Sequence, residues 1–464
     1  NIMFGSCCNR YAHLLPPNTK EEMNKREGAA EQLMFLCQAC NEVNQKIYLF
    51  IDEYDNFTNS ILANEEHLER YRKQTHGEGY LRKFFNAIKG AADTSLGRVF
   101  VTGVSPVTMD DLTSGFNIGT NYSLNSRFNE MTGFTEEEVR EMLSYYASVL
   151  PFKHSIDELI LIMKPWYDNY CFSEDSYGET TISNSVMVLY FLDNYIEGNY
   201  KIPKNMVESN VRIDYNKIRM LIRHDKEFTN DASIIQQLIT KGFATGHLVE
   251  NFPAECINDP DNFLSLLFYF GMVTIDGEYD GETKFIIPNE VVRDQIYTYL
   301  LDTYKENDLV YDTYAKRKLE SQMAYHGNFK PYFENIADSL KRYSSQRDKQ
   351  KGEAFVHGFT LAMTSQNQFY RPISELDNDG GYADIFLAPL CDSYKDMKDS
   401  YIIELKYCKS NSTDEQLKQL FAEASAQISR YADSDLVREL VKTTQLHKLV
   451  VIYQGAEMAT CEEV

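Results

Sequence analysis

Two acids and one amine near the carboxyl-terminal end of the sequence have the types and spacing of a site that hydrolyses phosphate esters. Glu404 and Lys406 lie two residues apart in the strand-like run 401–407, so their side chains point to the same face. Asp384 lies in an earlier strand-like run, 382–388, and the polar residues between the two runs suffice for a loop and a return. A paired hairpin would therefore set Asp384 beside Glu404.

These residue types suit phosphodiester hydrolysis with a divalent cation. The carboxylates of Asp384 and Glu404, with the carbonyl of Leu405, are hard oxygen ligands of the kind that Mg²⁺ or Mn²⁺ prefers. Lys406 would orient or activate the attacking water and stabilise charge on the phosphate. Taken alone, the Glu404–Lys406 pair favours a simple ion pair on a solvated strand face, and that alternative stays open.

Residues on both sides of these strands extend the pattern. Glu353 opens a preceding helix, where a further acid can contact a metal through water. Gln427 and Tyr431 lie one turn apart at the border of the apolar stripe of a later helix. The periodicity predicts helix 353–363, strand 382–388, strand 400–407, helix 414–431 and strand 448–454. This α-β-β-α-β order favours a cation site over a chance ion pair.

A second group of acids follows an apolar run in the first part of the sequence. The run 47–51 is typical of a strand buried on both faces, and it is followed by a helical segment, 80–92, and a second strand, 98–103. Strand, helix and strand predict a parallel α/β sheet, in which ligands bind at the carboxyl ends of the strands. Asp52, Glu53 and Asp55 lie at that end, and Thr102 is the penultimate residue of the second strand. Acids that cap the next helix are the alternative.

A phosphate-binding loop is missing from these residues. Such a loop has the form G-x-x-x-x-G-K-[ST], whose backbone amides and lysine hold phosphates, and no Gly-Lys-Ser or Gly-Lys-Thr occurs in the sequence. Two expectations follow: either the loop lies upstream of Asn1, which is not a methionine, or the nucleotide site is degenerate. ATP with Mg²⁺ is expected as a cofactor only in the first case.

The middle of the sequence is predicted to be mainly helical. Residues 134–250 have helical patterns, and Thr135 with Glu138 forms the signature of a capping box. Residues 262–300 indicate a helix, a short hairpin and a helix, similar to a winged-helix module. We therefore expect a multidomain α/β protein with three parts: 1–150, a P-loop-NTPase-like parallel α/β region; 151–330, a helical and winged-helix-like region; and 331–464, a restriction-endonuclease-like domain.

Composition limits the partners and the compartment. With 46 basic and 69 acidic residues, the formal net charge is −23. Because an acidic surface repels nucleic acid, binding would require a local basic surface, bound cations, a homo-oligomer or a partner protein. No apolar run approaches the ~18 residues of a membrane helix, and no signal peptide is evident. Cys37 and Cys40 form one C-x-x-C without a second, which argues against zinc and favours a reducing cytoplasm.

Four phrases and the carboxyl-terminal motif together resemble a known bacterial family. The phrases are "IYLFIDEYDNF", "FVTGVSPVTMDDLTSGFN", "FNEMTGFTEEEV" and "WYDNYCF", and Asp384 with Glu404 and Lys406 is similar to the PD-(D/E)XK nuclease signature. The sequence resembles AAA-ATPase-like proteins fused to a PD-(D/E)XK nuclease domain, from about Lys46 to Tyr453. Family members carry a phosphate-binding loop ahead of the first phrase, and this sequence departs from them there.

The resemblance implies roles for individual residues. Asp52 and Glu53 would form the Walker B pair and Thr102 the sensor, while Arg127 would reach nucleotide or form a structural salt bridge. Asp384 and Glu404 would hold Mg²⁺ or Mn²⁺. Lys406 would assist the water, and Glu353 and Gln427 would support the site. The phrase "WYDNYCF" has no implied chemical role, and core packing of Trp166 and Tyr170 is expected.

The leading hypothesis is a metal-dependent DNA endonuclease coupled to an ATPase-derived regulatory module. The alternative is a non-catalytic protein that senses nucleotide or binds nucleic acid through degenerate folds. An intact ATPase motor would require the phosphate-binding loop. The resemblance suggests a role in defence or in mobile elements, and the sequence does not separate DNA from RNA or reveal cleavage specificity.

Overall fold

The computed structural model describes residues 2–55, 79–92, 95–104, 119–208, 234–253, 256, 259–306, 312–345, 353–365, 367–378, 381–391, 393–432 and 435–464. These residues form two compact units. The first comprises Asn1–Ser123 with Gly246–Gly271, and the second comprises Leu124–Thr245 with Met272–Val464. Among the described residues, no helix has the length and apolar character needed to cross a membrane.

The helices and strands follow one another along the chain as α1 (Ile2–Arg10), α2 (Thr19–Asn24), α3 (Ala29–Glu42), β1 (Ile47–Ile51), α4 (Tyr80–Ala92), β2 (Leu96–Val101), α5 (Glu136–Val149), α6 (Ile156–Tyr167), α7 (Ser185–Glu197), α8 (Ile234–Thr240), β3 (Phe243–Gly246), α9 (Pro260–Tyr269), β4 (Thr274–Tyr279), β5 (Glu282–Ile286), α10 (Glu290–Glu306), α11 (Thr313–His326), α12 (Lys330–Ser345), α13 (Glu353–Ser365), β6 (Tyr370–Asn378), β7 (Gly381–Pro389), β8 (Asp399–Cys408), α14 (Asp414–Ala432), α15 (Asp435–Val441), β9 (Gln445–Gln454) and β10 (Glu457–Glu463).

The first unit contains the predicted strand, helix and strand. β1 and β2 pair in parallel, and α4 lies between them in the sequence. Leu49 and Val99 pack with buried side chains of α3 and α4, which form the core of this unit. β2 ends two residues before the predicted boundary at Gly103, although the Thr102 N–H still donates to the carbonyl of Ile51 at 2.8 Å. The parallel pair is confirmed, whereas a complete P-loop-NTPase sheet is not.

The helical part of the second unit is built on α5, α6 and α7. Thr135 and Ser155 each form a capping box at the start of α5 and α6, which satisfies backbone N–H groups that a helix cannot pair internally. Trp166 and Phe191 are buried in the common core of these helices. The prediction of helix throughout 134–250 is only partly right, because β3 and two isolated β-bridges interrupt it and residues 209–233 lie outside the described residues.

The predicted winged-helix module is not confirmed. A helix, a hairpin and a helix do occur in that order, as α9, β4–β5 and α10. However, α9 belongs to the first unit, whereas the hairpin and α10 belong to the second. The hairpin joins β3 in a three-stranded sheet of order β3-β5-β4. The predicted order of helix, hairpin and helix is therefore present.

The carboxyl-terminal part of the second unit is a five-stranded sheet between helices. Its order is β10-β9-β8-β7-β6, with β8 and β9 parallel and the other neighbours antiparallel. On one face, Ala424 and Ile428 of α14 pack against Phe386 and Ile402. On the other face, the hydroxyl of Tyr401 donates to the carbonyl of Met323 in α11 at 2.8 Å.

The predicted α-β-β-α-β order is present but incomplete. Its three strands correspond to β7, β8 and β9, and its two helices to α13 and α14. The prediction missed β6, α15 and β10. Both missed strands are edge strands of this sheet, and their sequences are interrupted by Pro372 or by acids rather than being continuously apolar. Edge strands carry such residues because one side of their backbone has no strand to pair with.

Candidate functional site

The two predicted metal-binding acids lie opposite each other on neighbouring strands. β7 and β8 pair with Ile385 opposite Ile403 and Phe386 opposite Ile402. One further step in this register sets Asp384 opposite Glu404. Because side chains alternate along a strand, both acids lie on the face that carries Phe386 and Ile402 and is covered by α14.

The carboxylate of Asp384 accepts a hydrogen bond from the backbone of β8. Its Oδ2 accepts from the N–H of Leu405 at 2.7 Å. The ladder pairs between β7 and β8 extend from Leu387–Tyr401 to Ile385–Ile403, and Asp384 lies one residue beyond them. The regular pairing of β7 with β8 therefore ends where the acids begin, and the backbone of β8 orients the side chain of Asp384.

Glu404 is the most buried charged group of this cluster, with 3 % of its surface exposed. Its Oε1 accepts from Lys406 Nζ at 2.8 Å, while Oε2 has no hydrogen-bond partner among the described residues. Burial, followed by repulsion from the Asp384 carboxylate, raises the pKa of Glu404 to about 7, although Lys406 and the backbone of Asp384 oppose this shift. A buried carboxylate with one unpaired oxygen is costly unless another group satisfies it.

Lys406 interacts electrostatically with both Glu404 and Asp384. Burial favours its neutral amine, but the carboxylates of Glu404 and Asp384 outweigh burial and raise the pKa of Lys406. The amine therefore carries its positive charge at neutral pH, next to a partly uncompensated carboxylate. The simple ion pair expected from the sequence is present, but it lies in a largely buried cluster rather than on a solvated strand face.

The helix that covers this face adds two polar side chains. Tyr431 of α14 is buried and lies close enough to Lys406 to raise the pKa of its amine. Gln427, one turn earlier, has a buried Oε1 without a hydrogen-bond partner among the described residues. Glu353 begins α13, but its side chain lies outside the described residues.

The donor set fits a hard divalent cation held by few protein ligands. In the described part of the chain, no group of three or more His, Cys, Asp or Glu side chains could hold a metal ion. Mg²⁺ is commonly bound by only one or two carboxylates and keeps several waters. The unpaired Oε2 of Glu404, opposite Asp384, is compatible with that mode.

The acids of the first unit form a separate polar group. Thr102 Oγ1 donates to Asp52 Oδ1 at 2.6 Å, so the carboxyl ends of β1 and β2 bring these two predicted residues together. Glu53 is exposed and has a positive φ of 51°, which a side chain rarely adopts outside turns and functional sites. Its N–H donates to the same oxygen of Asp52 at 3.0 Å.

Asp55 differs from its neighbours because it is buried. Its Oδ2 accepts from the N–H of Val104 at 3.1 Å and so connects the segments that follow β1 and β2. The residue before Val104 is Gly103. A Cβ at this position would overlap the ring of Tyr54 and lie 2.7 Å from Asp55 Oδ1, so the position favours glycine. The bond of Asp55 indicates a structural role.

The remaining residues singled out from the sequence lie elsewhere. Arg127 belongs to the second unit, where its Nε donates to Asn125 Oδ1 at 3.3 Å. Trp166 is buried. Tyr170 is partly buried, and burial of its hydroxyl raises its pKa to about 12, although a hydrogen bond with Asn289 opposes this shift. Cys37 and Cys40 are buried along α3.

Comparisons with known proteins agree with the two sequence motifs. Residues 3–113 match the family model described as "Predicted AAA-ATPase". Residues 351–463 match the model of the PD-(D/E)XK nuclease superfamily, which confirms the resemblance to a fusion of these two domains. No curated protein and no solved structure matches the chain.

Proposed function

We propose that this protein is a divalent-metal-dependent nuclease that hydrolyses phosphodiester bonds of DNA. The observation that carries the proposal is the cluster of Asp384, Glu404 and Lys406 on β7 and β8, inside the range that matches the PD-(D/E)XK superfamily. The match supports a nuclease, and the unpaired oxygen of Glu404 supports a bound cation. DNA rather than RNA, and Mg²⁺ or Mn²⁺ as the ion, are our inference.

Asp384 and Glu404 would hold the cation. When bound, such an ion neutralises charge on the phosphate and lowers the pKa of an attacking water. Cation binding at Oε2 of Glu404 would also ionise this carboxyl, because the ion offsets the burial and the repulsion that raise its pKa.

Lys406 would act on the substrate side of the site. Its amine is charged, about a quarter exposed and already oriented by Glu404 at 2.8 Å. From there it can donate a hydrogen bond to a phosphate oxygen or to the water. Gln427 and Glu353 would support the site, Gln427 through its unpaired buried oxygen.

The AAA-ATPase-like range would supply regulation. In this proposal Asp52 and Glu53 act as the Walker B pair and Thr102 as the sensor, and the short Thr102–Asp52 hydrogen bond is compatible with these roles. ATP with Mg²⁺ would bind only together with a phosphate-binding loop, which these residues lack. Nucleotide sensing would then control the nuclease domain.

We further propose the organisation in which this activity operates. The three parts would be 1–150, 151–330 and 331–464, with the nuclease in the last. The nine cysteines are free, which fits a cytoplasmic protein. The acidic overall charge favours a homo-oligomer or a partner protein for tight binding of DNA.

A cleavage assay with matched variants tests the proposal. The full chain is incubated with single-stranded DNA, double-stranded DNA or RNA and with Mg²⁺, Mn²⁺ or EDTA. Glu404→Gln and Lys406→Met each remove one charge from the cluster. Glu423→Gln makes the same chemical change on the exposed face of α14 and serves as the control.

We expect cleavage with Mg²⁺ or Mn²⁺ and none with EDTA. Glu404→Gln and Lys406→Met should each lower the rate at least about a hundredfold, as for loss of a group that stabilises transition-state charge, whereas Glu423→Gln should not. Binding of nucleic acid without cleavage in any metal would instead support the non-catalytic alternative.

A further inference from the structure

A second buried ionic cluster lies at the other end of β8, away from the proposed nuclease site. His447 of β9 has Nε2 at 2.9 Å from Asp399 Oδ1 and Nδ1 at 2.8 Å from Glu463 Oε1. Asp399 is the first residue of β8, and Glu463 is the last of β10. The imidazole therefore lies between carboxylates that come from both flanking strands.

The cluster is enclosed by aromatic side chains. His447 and Asp399 each have 7 % of their surface exposed. The ring of Tyr401 stacks on the imidazole with centroids 5.0 Å apart, and Phe329 lies 6.5 Å away. The hydroxyl of Tyr370 donates to the carbonyl of Asp399 at 3.1 Å. The buried carboxylate of Asp399 thus depends on His447 for a charge-assisted hydrogen bond.

Two ionised carboxylates, one at each ring nitrogen, favour a proton on both nitrogens of His447. A neutral imidazole has one N–H donor and one acceptor nitrogen, whereas an imidazolium has two donors. Both nitrogens of His447 face carboxylate oxygens, which accept hydrogen bonds and do not donate them when ionised. Loss of one proton would bring a nitrogen lone pair against a carboxylate at less than 3 Å.

We propose that His447 is a pH-sensitive clasp that fastens the terminal strand β10 to the sheet. While it holds both protons, it bridges β8 to β10. Once it gives up one proton, it releases Glu463 and loosens β10, because Asp399 is the more buried of the two acceptors. Protonation of the imidazole therefore joins β10 to β8, and loss of a proton releases Glu463.

Release of β10 would have a defined structural consequence. β10 is an edge strand that pairs with β9 and also contacts α12 through Lys341 and Glu457, which lie 2.7 Å apart on the surface. Loosening it would expose one side of the β9 backbone as a new edge. The cluster of Asp399, His447 and Glu463 contains none of the proposed nuclease residues, so the clasp does not depend on the assignment of that site.

Hydrogen exchange of the full chain, read by mass spectrometry, tests the clasp. Protection factors of residues 457–463 are compared near pH 6 and near pH 8.5, since protection factors remove the pH dependence of intrinsic exchange. Residues 385–389 of β7 provide the internal control. The variants are His447→Gln, whose amide does not titrate in this range, and Glu463→Ala, whose side chain is 44 % exposed and so tolerates truncation.

In the wild type, we expect the protection of β10 relative to that of β7 to fall about tenfold or more at the higher pH, the change that loss of one hydrogen bond to a charged group produces. β7 belongs to the same sheet and therefore records any effect of pH on the sheet as a whole, including that of Glu404. Glu463→Ala should show the low β10 to β7 ratio at both pH values, and in His447→Gln this ratio should not change with pH. An equal ratio at both pH values in the wild type, or a wild-type change of the ratio in either variant, would overturn the proposal.

Discussion

The pKa of Glu404 leads to a prediction about stability that does not depend on catalysis. Its ordinary value of 4.5 is raised to about 7 in the folded protein. The folded chain therefore retains a proton that the unfolded chain has already lost, and stability from this source is fully present below about pH 4.5. It is lost as the pH rises through about 7. The difference between these two pKa values of Glu404 corresponds to at most about 3 kcal/mol of unfolding free energy.

Glu404→Gln removes this titration while keeping the size of the side chain. We expect the wild-type sheet to lose up to about 3 kcal/mol between pH 5 and pH 8 relative to the variant. Hydrogen exchange of β8 peptides in the presence of EDTA, followed as urea is increased, measures the unfolding free energy of this sheet. Glu423→Gln controls for the general effect of removing an acid, because Glu423 is exposed. An unchanged pH slope in Glu404→Gln would refute the reasoning.

Three further predictions concern separate parts of the chain. Mg²⁺ at a hundred times its dissociation constant should raise the unfolding free energy of β8 by about 2.7 kcal/mol in the wild type, measured by the same exchange method, but not in Asp384→Asn. Thr102→Val removes the 2.6 Å hydrogen bond to Asp52 and should cost the first unit about 1 kcal/mol in β1 and β2 exchange, with β8 unaffected. Thr135→Ala breaks the capping box of α5 and should cost about 1 kcal/mol in α5 exchange, whereas Thr135→Ser should restore most of it.

The buried strands were predictable because their sequences are nearly continuous in apolar residues. β1 and β8 appear at or within one residue of the expected positions. β8 is buried along most of its length, as such a run predicts, whereas the expectation of a doubly buried strand is wrong for β1, which exposes Tyr48 and Phe50. The alternation of side chains also predicted correctly that Glu404 and Lys406 share a face. Local sequence patterns are therefore sufficient to predict the central strands of a sheet.

Edge strands and long-range clusters were not predictable in this way. β6 contains Pro372, and β10 mixes acids with small residues, so neither resembles a buried strand. The cluster of Asp399, His447 and Glu463 joins residues from three strands, and each acid lies diagonally across from His447 in the strand registers. The proximity of these three residues depends on the order of the strands in the sheet, which patterns in a single sequence do not encode.

The chemistry at Glu404 also depended on tertiary structure. The sequence predicted the residue types, but the burial of Glu404 and its unpaired oxygen depend on the packing of α14 over the sheet and on the end of regular β7–β8 pairing at Ile385. These features raise the pKa of Glu404, which distinguishes the cluster from a surface ion pair.

The position of a bound cation shows whether Asp384 and Glu404 form a metal site. Crystals of the full chain grown with Mn²⁺ would be measured for anomalous diffraction, with Asp384→Asn crystals as the comparison. We expect one anomalous peak in direct contact with carboxylate oxygens of both Asp384 and Glu404, and its loss in the variant. A peak that contacts neither acid, or no peak near β7 and β8 at saturating Mn²⁺, would contradict this expectation.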